Sequence, residues 1–141
     1  DDFGFVPGLH ASSILVIDTY DWRRFQTNGV AIRTGRIIEA SGDWEFSKCP
    51  HCGVRIEIDP LSGDAAPINE ALEAFHEGRD SGLECTKCGV RTELEYWDFG
   101  DAMAVGDAVV TFWNWPKHKE GFSEQLSEIS GLKCALVRGK I

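Results

Sequence analysis

Residues 49–57 read Cys-Pro-His-Cys-Gly-Val-Arg-Ile-Glu, and residues 85–93 read Cys-Thr-Lys-Cys-Gly-Val-Arg-Thr-Glu. The same phrase therefore occurs twice, as a C-x-x-C-G turn followed by alternating apolar and charged residues. Cys49, Cys52, Cys85 and Cys88 together form a four-sulfur donor set, the tetrahedral shell that zinc takes in closed structural sites. The glycine after each second cysteine suits a turn that directs backbone N–H groups at sulfur, because such turns call for positive φ. A rubredoxin-like iron site uses similar turns, and spacing alone does not separate the two metals. A disulfide framework fits less well, since five cysteines leave one over. Thioredoxin-like redox chemistry needs one such motif opening a helix, whereas both motifs here lead into strand-like sequence.

The 32 residues between Cys52 and Cys85 are too many for a bare turn-strand repeat, so they must fold. Residues 64–78 carry Ile68, Ala71, Leu72 and Phe75 at i, i+3, i+4 and i+7, which predicts an amphipathic helix. Asp64 or a neighbour is the expected cap, Pro67 sits in the first turn, and Gly78 is the stop. Glu70, Glu73 and Glu77 fall on the outer face. Residues 54–58 and 90–96 are expected strands, the second with Thr92, Leu94 and Tyr96 on one side. Residues 60–63 and 98–101 are expected turns.

Outside this segment, residues 13–18 (Ser-Ile-Leu-Val-Ile-Asp) suggest a short buried strand. Residues 21–25 suggest one helical turn. Residues 29–40 read as extended, interrupted by a turn or bulge at 33–36. Residues 108–115 form a strand pattern that is apolar on both faces, with Val109, Thr111, Trp113 and Trp115 on one side. Residues 123–130 predict a short helix with Leu126 and Ile129 inward, stopped by Gly131, and residues 134–137 a closing strand. The expectation is a single α+β domain over residues 1–141. Its sheet is mixed or antiparallel, with ferredoxin-like strand–helix–strand elements and a zinc-ribbon subdomain embedded at residues 44–97.

The net charge is −9. Residues 49–100 hold eleven acids and four bases, whereas residues 101–141 hold five of each. A segment this acidic repels a phosphate backbone, so nucleic acid is not the expected partner. A basic protein is. No run of about 18 apolar residues exists, so no membrane span is expected. Reduced thiols and the lack of an export signal within the sequence point to the cytoplasm.

Four cysteines leave a metal no open position for water, so the centre is expected to be structural and the chain non-enzymatic. Cys134, among Leu132, Ala135 and Leu136, is expected to be a buried small hydrophobe. His51 is expected to face solvent, and His10, His76 and His118 show no triad or facial arrangement. Five tryptophans are many for 141 residues. The plain reading is a core packed against the ribbon; the sharper one makes Trp97, Trp113 and Trp115 candidate partner-binding residues, since Trp is enriched among interface hot spots.

From residue 28 onward the chain resembles a bacterial family of small zinc-ribbon proteins with two C-x-x-C-G turns. The residues that carry the likeness are Gly29-Val30-x-Ile32-x-x-Gly35-Arg36, Cys49-Pro50-His51-Cys52-Gly53, the intervening helix, Cys85-x-x-Cys88-Gly89 and an expected closing strand–helix–strand. Phe5-Val6-Pro7-Gly8 matches an aromatic-x-Pro-Gly turn of that family. The resemblance implies a bound metal and an architecture, and no activity. Taken with the charge, it leads to the expectation of a zinc-stabilised interaction module, such as an immunity-type or adaptor protein. The alternatives are a nucleic-acid-associated ribbon and an enzyme with a site away from the metal.

Overall fold

The computed structural model describes residues 4, 5, 8, 10–16, 29–41, 44–58 and 65–139. The expected helical turn at 21–25 and the turn at 60–63 lie outside them. The described strands are β1 (Gly4–Phe5), β2 (Gly29–Ala40), β3 (Phe46–Lys48), β4 (Arg55–Glu57), β5 (Gly82–Glu84), β6 (Arg91–Glu93) and β7 (Met103–Trp113). The α-helices are α1 (Ala66–His76) and α2 (Phe122–Ser130). The strands form a three-stranded sheet, ordered β1-β2-β7, and two antiparallel hairpins, β3-β4 and β5-β6. The class is α+β.

Two compact units divide the chain. The first comprises residues 1–34, 108–135 and 141, the second residues 35–107 and 136–140. The division falls inside β2 and inside β7.

The second unit holds the main core. Phe75, Leu83, Leu94, Trp97, Phe99 and Met103 are buried there with Ile58, Ile68, Ala71 and two cysteines, Cys49 and Cys85. Helix α1 follows the expected face, with Ile68, Ala71 and Phe75 inward and Glu70, Glu73 and Glu77 in solvent. Its N-cap is Ala65, which offers no side-chain oxygen, and Pro67 sits in the first turn. The C-terminus is secured three ways. Gly78 takes φ +75, the Arg79 N–H reaches the Ala74 carbonyl (2.8 Å), and the Gly78 N–H reaches that of Phe75 (3.1 Å). Arg36 from β2 adds a bond from Nη1 to the same Phe75 carbonyl (3.1 Å), its guanidinium 5.1 Å from the Phe75 ring centre. A cation at a helix C-terminus meets the negative end of the dipole.

The first unit contains an aromatic cluster. His118 lies flat on Phe122 (4.4 Å, 6°), and Phe112 meets the edges of His118 (4.5 Å) and Trp115 (5.0 Å). Helix α2 ends at Gly131, at φ +70.

Several expectations are corrected. The strand expected at 13–18 begins as a 3-10 turn over Ala11–Ile14, because the Ser13 hydroxyl and N–H both bond the His10 carbonyl. Only Leu15 forms a bridge, to His118, and residues 17 and 18 lie outside the described set. No turn interrupts 33–36: β2 continues through it, with Gly35 at φ +117. The strand expected over 90–96 stops at Glu93. Leu94–Tyr96 then form a 3-10 turn that buries Leu94 and Trp97 three residues apart, and the Trp97 Nε1–H closes the loop on the Thr92 carbonyl (3.3 Å). Tyr96 is left exposed.

Strand β7 starts five residues earlier than expected and ends at Trp113 rather than Trp115, and it leaves the apolar side chains of Val110 and Trp113 exposed. It is an edge of the described sheet. Ile129 faces solvent rather than inward (84% exposed). The closing strand at 134–137 does not form. Ser127 Oγ accepts the Cys134 N–H (2.9 Å) and Ser130 Oγ the Leu132 N–H (3.2 Å), folding the chain back on α2. No strand follows α2 among the described residues, so the ferredoxin-like strand–helix–strand tail is missing its last member. Cys134 is half-buried rather than buried, its Sγ against the Leu132 carbonyl (3.7 Å).

Phe75→Ala should lower stability by about 3–5 kcal/mol, because the ring is 2% exposed at the centre of a packed cluster. Ile129→Ala should change it by less than about 0.5 kcal/mol. Urea denaturation of the metal-loaded protein measures both, and equal effects would contradict the core assignment.

Candidate metal centre

Each cysteine pair lies in a turn at the tip of a hairpin, β3-β4 for the first and β5-β6 for the second. The two turns are built alike. The Cys49 N–H bonds the Val54 carbonyl (3.0 Å) and the Gly53 N–H the Cys49 carbonyl (2.9 Å). In the second turn the Cys85 N–H bonds Val90 (3.0 Å) and the Gly89 N–H bonds Cys85 (2.8 Å). Gly53 and Gly89 both sit at φ +69, as a turn that wraps its amides round a sulfur requires. The His51 N–H points at Cys49 Sγ (3.4 Å), while its side chain faces solvent.

The chain beyond the second turn ties the two hairpins together. After the 3-10 turn, Asp98 pairs with Lys48 of β3, through Lys48 N–H to the Asp98 carbonyl (2.7 Å) and Asp98 N–H to that of Lys48 (3.2 Å). Ile58 and Leu94, each nine residues after the first cysteine of its turn, are both buried in the common core.

This arrangement gathers the four sulfurs. Cys49 Sγ is 3.9 Å from Cys88 Sγ, Cys52 Sγ is 3.8 Å from Cys85 Sγ, and all four lie within 4.8 Å of one another. Cys49 and Cys85 are buried, whereas Cys52 and Cys88 are accessible. A tetrahedral metal with bonds of about 2.3 Å to sulfur sets its ligands about 3.8 Å apart. The observed separations match that edge and are nearly twice a disulfide bond length. The four cysteines thus lie close enough to hold a metal ion. A metal bound there would cross-link the hairpins and stabilise the fold around them.

The thiols respond unequally to this crowding. The Cys88 N–H directed at its sulfur brings Cys85 down to about 7, against the opposing effect of burial and with help from the Lys87 N–H and the neighbouring thiols. Cys88 receives the Val90 N–H, which lowers it, but burial and the three other sulfurs outweigh this and push it up to about 12. A first thiolate forms readily and resists the formation of another beside it. A divalent cation removes that resistance.

A second pairing distinguishes the hairpins. Arg55 and Arg91 occupy the same offset after their cysteines, and each guanidinium reaches across its hairpin. Arg55 lies 3.7 Å from the Phe46 ring centre and pairs with Glu57 (2.6 Å). Arg91 meets Gly82, where an added Cβ would fall 2.6 Å from its Nε, and goes on to Asp80 (2.9 Å). The Gly82 N–H (2.9 Å) and Arg91 together hold the Asp80 carboxyl below its usual range.

The three tryptophans have separate fates. Trp97 is 5% exposed within the core and cannot present its ring to a partner, so that expectation is corrected for it. Trp113 is 45% exposed and Trp115 half-buried, both in the first unit. The sequence reading missed β3 and β5. Their signal was the turn itself, because a C-x-x-C-G tip that leads into a strand needs a strand entering it. No helix among the described residues is long and apolar enough to cross a membrane.

No family model matches the chain, and neither the curated proteins nor the solved structures provide a match. The resemblance to small zinc-ribbon proteins therefore rests on the motif residues alone.

Metal loading should expel protons, since a thiol at about 12 must ionise on binding. Affinity should accordingly fall as pH drops, with the loss deepening below about 7 as Cys85 also protonates. An indicator-dye titration during zinc addition measures the release, and loading without any release would contradict the four-thiolate shell. Cys85→Ser should abolish tight binding and cooperative unfolding of the second unit, since structural metal contributes on the order of 10 kcal/mol. Chelation of the unsubstituted protein should reproduce that loss in thermal scans.

Proposed function

We propose that this chain is a non-enzymatic protein-interaction module, held in shape by structural zinc in a ribbon-type centre, that docks a basic partner. The supporting observation is the coincidence of a closed four-sulfur donor set with the chain's charge. The second unit holds sixteen acids against eight bases, which is −8 of the total −9. Four thiolates around Zn²⁺ add about −2 more.

A donor set of four sulfurs leaves the metal no site for substrate, and it favours zinc or iron over harder ions. The acidic field raises the encounter rate with a positive surface and disfavours nucleic acid. An immunity-type or adaptor protein that covers a basic target in a reducing, cytoplasmic setting is the specific form of this reading.

The test combines native mass spectrometry with co-purification alongside the products of neighbouring genes. The expected result is one bound zinc and a basic partner whose affinity falls at least about tenfold between about 50 mM and about 500 mM salt. A partner that is not basic, or binding insensitive to salt, rejects the proposal.

A further inference from the structure

Between α1 and the second hairpin lies an open groove of about 470 Å³. Its apolar lining comes from Ala71 and Ala74 of α1 and Leu83 of β5, all buried in the second unit's core side. Charged residues rim it, and they are not equivalent. Arg79 is paired with Glu77 (2.5 Å) and Arg91 with Asp80 (2.9 Å). Glu70 and Glu84 make no ion pair among the described residues, and both are exposed. Among the described residues the groove's two cations are thus paired with neighbouring carboxylates, while Glu70 and Glu84 are left to solvent.

One wall is also a strand edge. Among the described strands β5 pairs with β6 alone. The Cys85 N–H bonds the Val90 carbonyl within the hairpin and Leu83 lies opposite Thr92. Antiparallel alternation therefore points the backbone groups of Gly82 and Glu84 away from β6. Asp80 Oδ1 takes the Gly82 N–H (2.9 Å) and Gly82 is buried, so the part of the edge that an extended chain can join is the backbone of the exposed Glu84.

We propose that this groove docks an extended basic segment of a partner protein. The segment adds to the outer edge of β5, seats alternate apolar side chains on Ala71, Ala74 and Leu83, and presents Lys or Arg to Glu70 and Glu84. A strand's period of two separates these side chains onto opposite faces, which matches an apolar floor beneath an acidic rim. The inference deepens the functional reading above and rests on it.

The probes are three synthetic nonapeptides: alternating Lys and Val, alternating Glu and Val, and the Lys-Val peptide with a central Pro that cannot join a strand edge. Each is titrated into zinc-loaded, isotope-labelled protein while backbone amide shifts are followed. The Lys-Val peptide should move the amides of Glu70, Ala74, Leu83 and Glu84, and the other two should bind at least about tenfold more weakly. The exposed double substitution Glu70→Lys with Glu84→Lys should cost at least about tenfold in Lys-Val affinity while amide dispersion and zinc content stay unchanged. Lys-Val binding mapped elsewhere on the acidic surface, or unaltered by the double substitution, overturns the groove assignment and leaves the basic-partner reading standing. No binding of either Lys peptide overturns both. Equal binding of the Pro-interrupted peptide overturns the strand-edge geometry.

Discussion

The convergence of four sulfurs within 4.8 Å is the constraint on which the second unit depends. Two hairpins with strands of three residues each cannot fold alone, because an isolated two-stranded ribbon is marginal in water. Here each tip brings two sulfurs to the cluster, and the buried cysteine of each pair is also a member of the apolar core. A metal held by these four sulfurs would couple its own binding to the formation of that core. The Lys48–Asp98 bridge completes it by returning the chain from the second tip to the first hairpin. Helix α1, closed at its C-terminus by Gly78 and Arg36, covers the assembly with Phe75.

What the sequence made legible is what carries local chemistry. The repeated C-x-x-C-G phrase specifies its turns through glycine's tolerance of positive φ, and both glycines adopt it. The 3.6-residue period of Ile68, Ala71 and Phe75 likewise specifies the buried face of α1. Readings failed where side chains compete for the backbone. Ser13 converts an apolar run into a 3-10 turn, and Ser127 and Ser130 capture amides that a final strand would need. Trp97 could be read from the sequence either as core against the ribbon or as partner surface, and an i, i+3 turn with Leu94 buries it. These outcomes depend on which hydroxyl or ring finds which partner, and apolar periodicity does not encode that.

Electrostatics in this chain work at two ranges. Exposed ion pairs such as Arg55–Glu57 contribute no more than about 1 kcal/mol each. Their role here is to determine which charges remain unneutralised. The second unit's net −8 is a long-range field, screened within about 10 Å at ordinary salt. In the proposed docking mode, recognition at close quarters would fall to the carboxylates that internal arginines do not reach.

The paired turns carry near-identical backbones, yet their arginines meet different neighbours. On one hairpin the guanidinium rests on an aromatic plate, Phe46. On the other the same offset places it over the bare backbone of Gly82. The two hairpins thus share a backbone plan but not a surface, since Gly82 stands where the first hairpin has Phe46 and its arginine runs past bare backbone to Asp80.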